Sequence, residues 1–205
     1  PETCAMMLSE ATDEIRTFWN SDLRFPKGAG ADWLTRLQSE FEAPFPVELE
    51  TYIRDVMLLG DFAFEMVGNP INVYGARNLG ATQEGYTHNA ISGERLDDWQ
   101  QHWFLFADEG ADPIIIDLSA GHSAVFRAIH GFGTWEFDVV ADSIGQFLLC
   151  CAALHHAMTH WGIEAIVDDE NGFNLAEEPA QWLFPKMKDW AGVHDSTWCS
   201  VFDNY

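Results

Sequence analysis

The chain has 205 residues, with 33 acidic against 10 basic side chains and a formal charge of −23 at neutral pH. Apolar residues make up 47% and charged residues 21%, the composition of one folded domain that can bury a core without disulfides or a structural metal, and not of a disordered chain. A field of that sign repels nucleic-acid phosphates and anionic headgroups, so nucleic acid and membrane surfaces are excluded as expected partners.

In chain order, residues Ser9 to Trp19 predict a short helix, and Asp22 to Gly30 a break punctuated by Pro26, Gly28 and Gly30. A second short helix is expected from Ala31 to Phe41, interrupted by Pro44-Phe45-Pro46. Leu49, Tyr52, Ile53, Val56 and Met57 then mark one face of a helix, with Pro46 near its first turn and Gly60 as its closing glycine. The period changes at Phe62, Phe64 and Met66, which alternate as in a strand; Asn69-Pro70 is a turn and Ile71 to Tyr74 a second strand. Gly75 to Asp98 has no period and predicts a long surface loop.

Strands then follow closely: Trp103 to Ala107, Ile114 to Ile116, Val125 to Ile129, and a last one carrying Trp135, Phe137 and Val139 on one side. Turns are expected at Asp108 to Asp112, Ser119 to His122 and Gly131 to Gly133, links too short for parallel crossovers. Ser143-x-x-Gln146 is a capping box for a strong helix, in which Ile144, Phe147, Leu148, Cys151, His155 and Met158 form one stripe. Beyond it come an acidic run (Asp168-Asp169-Glu170), a turn at Asn171-Gly172 and a last helix around Glu177 to Trp190. The order predicts an α+β fold: a twisted antiparallel sheet of five to six strands with helices packed mainly on one face.

The segment Phe104 to Asp117, F-L-F-A-D-E-G-A-D-P-I-I-I-D, is similar to the signature of the SUKH superfamily, the Smi/Knr-type domain. The likeness continues in order through Pro46 to Ile53, His130-Gly131, Gly133, Trp135-Glu136 and Ser143 to Leu148, with Ile144 where the family usually has an aromatic. It covers roughly Phe45 to Ala153. The sequence departs from the family in the long loop from Gly75 to Asp98, in Leu59-Gly60-Asp61 where Asn-Gly is usual, and in a final fifty residues without a counterpart. The resemblance divides the chain into an N-terminal helical segment (1–44), a SUKH-like core (45–162) and a C-terminal extension packed on it (163–205). It also implies a binding role. Bacterial members are typically immunity proteins that neutralise a polymorphic toxin domain, commonly a nuclease or deaminase, and the family has no catalytic residues to carry over.

Catalytic and metal readings are weak on spacing alone. His156-x-x-x-His160 could present two imidazoles, but no H-E-x-x-H and no placed third ligand accompany them, so packed or surface histidines are the simpler reading. Asp108, Asp112 and Asp117 lack the spacing of a calcium loop, and Gly131-Phe132-Gly133 is no phosphate loop. Gly121-His122-Ser123 lacks the following glycine of a nucleophile elbow. Cys4, Cys150, Cys151 and Cys199 form no C-x-x-C pair, and the adjacent two read as buried thiols. The first residues lack the pattern of a signal peptide, and no run of about 18 apolar residues is present. A cytoplasmic protein without catalytic residues, metal or cofactor is therefore expected.

The acidity has two readings, solubility or electrostatic steering toward a basic partner. On the second, contact residues should be acidic or aromatic and lie in loops. Asp97, Asp98, Trp99, Asp108, Glu109, Asp112, Glu136, Asp168, Asp169 and Glu170 qualify. Trp135 qualifies less well, because its alternation with Phe137 and Val139 points inward. The expected function is immunity: stoichiometric binding of a basic toxin domain, first a nucleic-acid-damaging one, with occlusion of its active site. A regulatory scaffold without a toxin partner is the alternative, and a hydrolase the third reading.

Overall fold

The structure is a computed structural model that describes residues 6–19, 25–81 and 84–205. Helices α1 (Leu8–Phe18), α2 (Ala31–Gln38) and α3 (Val47–Thr51, continued by a π-helical turn over Tyr52–Val56) precede strands β1 (Phe62–Phe64) and β2 (Ile71–Val73). After the long loop come β3 (Trp103–Glu109), β4 (Asp112–Asp117), β5 (Val125–Ala128) and β6 (Phe137–Ala141), then α4 (Ile144–Thr159). The tail forms a hairpin of β7 (Ile166–Asp169) and β8 (Gly172–Leu175), then α5 (Glu177–Trp190) and α6 (Asp195–Cys199). Strands β1 to β6 pair in sequence order, each antiparallel to the next, so the fold is α+β around a six-stranded meander.

Paired residues share a face of a sheet. One row, Val73–Ala107–Ile114–Arg127, faces the helices, where Ile114 and Arg127 meet Phe147 of α4 and Trp198 of α6. The opposite row, Leu105–Ile115–Phe126–Val139, faces the long loop, as do Trp103 and Phe137. A bulge between Leu105 and Ala107 inserts Phe106, whose ring reaches Tyr52 and Phe147 on the helix side.

Helix α4 departs from the expected single stripe. Every residue from Ile144 to Leu154 is buried, because α1 and α5 pack on it from outside while the sheet lies beneath. Gly145 makes this possible: a Cβ there would stand 3.1–3.2 Å from Leu8 Cα, Ala11 Cβ and the Met7 carbonyl. Ser143 Oγ accepts from the Gln146 N–H at 3.0 Å, as the capping box predicts; the Gln146 side chain answers one residue earlier, accepting from Asp142 N at 2.7 Å.

Gly60 does not close the third helix. The helical turns end at Val56, and Gly60 is not in the left-handed region. The last carbonyls are satisfied instead by the chain expected to be a mere break: Lys27, Gly28, Ala29 and Gly30 donate to Val56, Met57, Ile53 and Arg54 at 2.8–3.1 Å. Gly28, at φ +76°, lies so close that a Cβ would come within 2.2 Å of the Arg54 carbonyl.

The turn expected over Asp108 to Asp112 shrinks to Gly110-Ala111, and Asp108, Glu109 and Asp112 belong to strands. Trp135 lies just before β6, and Met66 just beyond β1. The tail packs into the same core, burying Leu183, Met187, Trp198, Cys199 and Phe202. Its hairpin is tied back by Asp203, which accepts from Phe173 N at 2.7 Å, and by Asn204, which bonds both the N–H and the carbonyl of Leu175. No helix among the described residues is long and apolar enough to cross a membrane.

Candidate binding face

The long loop folds back over the sheet and places two aromatic side chains on it. Tyr86 and Trp99 from the loop meet Trp135, with ring centroids 5.7–6.1 Å apart, and Trp99 continues onto Trp103, which packs on Phe137. Edge-on geometry prevails in the group, the arrangement that ring quadrupoles favour. Trp99 is 4% exposed, so it is a pillar of this cluster and not a solvent-facing anchor, which corrects the reading drawn from its loop position. The Trp135 indole N–H is buried with no acceptor among the described residues.

Acidic side chains flank the cluster on its loop side. Asp97 and Asp98 are exposed immediately before Trp99; Glu136, exposed immediately after Trp135, is turned by strand alternation to the opposite face, where it lines a groove with Arg127, Asp138 and Thr197. None of the three has an ion pair among the described residues. Asp108 is half-buried on the cluster's face, where it accepts a hydrogen bond from the Tyr74 hydroxyl. Burial pushes its pKa up, opposed by that hydrogen bond and reinforced by Asp61. Burial, with Asp108 and Asp112 nearby, likewise raises Tyr86. Asp112 is engaged locally, accepting from the backbone N–H of His130 at 2.9 Å and pairing with its ring at 2.7 Å.

The remaining expected contact residues lie elsewhere. Glu109 points to the helix side, where it holds Arg127 at 2.5 Å, since adjacent strand residues alternate faces. Asp168, Asp169 and Glu170 are exposed at the tip of the tail hairpin, where Asp169 accepts from Asn171 N in a local turn.

At one end of the aromatic cluster lies an open groove of about 710 Å³. Phe41, Trp99, Trp103 and Leu105 form its apolar wall; exposed Glu40 and Glu42 stand on one rim, with His88 and Arg95 on the other. Sequence reasoning passed over Tyr86, Glu40 and Glu42. A lone tyrosine in a polar loop was the one available sign of the first. The two glutamates lie just beyond α2, and only the return of the loop makes them a rim.

The expected histidine pair is packed among aromatics. His156 and His160 stack at 4.6 Å, and His156 also contacts Phe18 and Trp182. Its pKa is lowered to about 4, chiefly by burial and then by His160, His155 and Lys186. Among the described residues no three metal-ligating side chains converge. Cys150, Cys151 and Cys199 are buried free thiols, with burial pushing Cys199 up to about 12; Cys4 lies outside the described residues. Neither the protein-family models nor the curated proteins provide a match to this chain.

Proposed function

We propose that this chain is an immunity-type inhibitor of the SUKH kind, which binds the basic catalytic domain of a toxin in the cytoplasm and blocks access to its substrate. The observation that carries the reading is the pair of exposed carboxylates, Asp97 and Asp98, set beside an aromatic cluster and left without basic partners among the described residues. Protein interfaces concentrate their energy in packed aromatics ringed by polar groups, and unpaired surface charge of one sign accelerates encounter with the opposite sign. A toxin that acts on nucleic acid must present a basic substrate groove, and an acidic face competes for it by occupancy alone.

The test is co-purification with the product of the neighbouring gene, followed by stopped-flow association. The second-order rate constant should fall steeply between low and high salt, and Asp97→Lys with Asp98→Lys should slow association by about tenfold with little change in dissociation. A rate constant indifferent to salt and to both substitutions would overturn the reading.

A further inference from the structure

The two edges of the six-stranded sheet are finished differently. At β1 the edge is three residues long, the N–H of Glu65 just beyond it donates to His155 Nδ1 of α4 at 2.8 Å, and Trp19 packs on both Phe62 and Phe64. At β6 the edge is five residues long. The Trp198 indole donates to the Val140 carbonyl at 2.9 Å, and ahead of it no hydrogen bond from outside β5 reaches the backbone of residues 136–139 among the described residues. A bare edge of this kind is a template for another strand.

The surroundings of that edge specify what would pair with it. An open groove of about 460 Å³ runs beside it, lined by Ile129, Phe132, Val139 and Val140 together with Glu136 and Asp138. Phe132 is 78% exposed and Ile129 55%, and both sit in the link between β5 and β6. Arg127 in the groove is engaged by Glu109 at 2.5 Å, whereas exposed Glu136 and Asp138 have no ion pair among the described residues. Edge pairing between two copies of this chain would set these carboxylates against each other on molecules of charge −23, which like-charge repulsion opposes.

We infer that β6 is a docking edge for an extended basic segment of a protein partner, which adds as a seventh strand. The segment's backbone pairs with residues 136–139, an apolar side chain fills the groove over Ile129 and Phe132, and flanking Lys or Arg residues meet Glu136 and Asp138. Main-chain pairing supplies affinity in such additions, and alternate side chains supply selectivity. The inference rests on the reading of the chain as an acidic binder of a basic protein, and extends it from Asp97 and Asp98 to the carboxylates at the edge of β6.

The experiment titrates the intact chain with a blocked hexapeptide of alternating lysine and valine, and follows affinity and backbone amide exchange by NMR. Saturation should slow exchange at the outward-facing amides of residues 136–139 by at least about tenfold. A peptide with every backbone nitrogen methylated keeps its charge but cannot pair, and should bind at least about tenfold more weakly. Glu136→Lys with Asp138→Lys should weaken the parent peptide similarly while the near-ultraviolet circular dichroism stays unchanged. Equal binding of the methylated peptide, absence of protection at these amides, or no binding at all overturns strand addition. If the chain still associates in a salt-dependent way with the neighbouring gene's product, only this inference falls; if that association is also missing, the acidic-face reading falls with it.

Discussion

The Glu48 carboxylate accepts a hydrogen bond from the backbone N–H of Gly145 at 2.9 Å, joining the start of α3 to the first turn of α4 across 97 residues. The Ile144 N–H adds a second bond at 3.2 Å. A carboxylate here answers two of the donors that a helix leaves open at its N-terminus and meets the positive end of its dipole. Burial nevertheless pushes the Glu48 pKa up, against the pull of both backbone donors. Glu48→Ala should therefore cost about 1–3 kcal/mol in urea unfolding, since two buried donors lose their acceptor. Glu48→Gln sheds the buried charge but keeps an acceptor for only one of the two N–H groups, which bond different oxygens, and should cost less than the alanine variant. Equal losses in the two variants would assign the effect to packing alone.

The two tryptophans at the centre of the binding face should respond differently to substitution. Trp99 is buried between Tyr86, Trp103 and Trp135, so Trp99→Ala should cost about 3–5 kcal/mol and loosen the loop. Trp135→Phe removes an indole N–H that bonds no described residue, and should change stability by less than about 1 kcal/mol. Denaturation followed by circular dichroism separates the two outcomes.

Asp108 should make the protein less stable toward neutral pH. Burial raises its folded-state pKa, so the native state favours the protonated carboxyl. That contribution is full below the unfolded pKa and is lost as pH rises through the folded one. Asp108→Asn retains an oxygen to accept from Tyr74 and should raise the melting temperature at pH 7, with the gain vanishing below about pH 4. A gain that persists or grows in acid would contradict this assignment.

His156 should contribute in the opposite direction. Its pKa falls to about 4 on folding, so stability is complete above the ordinary histidine value and declines as pH drops from there toward 4. The ring is half-buried, and screening reduces the effect to about 1 kcal/mol. Urea unfolding at pH 7 and pH 5 should show that decline in the parent and a smaller one in His156→Gln.

Much of the fold was legible because the relevant signals are local. Alternation at Phe62 and Phe64, the β-branched run at Ile114 to Ile116 and the capping box at Ser143 marked elements that the structure contains. The helix expected around Glu177 to Trp190 has those limits in the structure, but it is not the last, since α6 follows it. The closing of the third helix was misread because its carbonyls are satisfied by residues 27–30, a partner that no local glycine rule includes. The site was legible only in part: acidity and loop position drew attention to Asp97 and Asp98, and equally to Glu109 and Glu136, which strand alternation turns to the other face.

By itself the sequence determined the class of fold, the order of its strands and the sign of its surface, because periodicity, turn residues and charge act through near neighbours or through a simple sum. Tertiary structure alone decided that α4 is enclosed on nearly every side, that Trp99 supports the face instead of projecting from it, and that β1 is covered while β6 is open. Those outcomes depend on which distant segments come to rest against one another, and burial is a property of that packing.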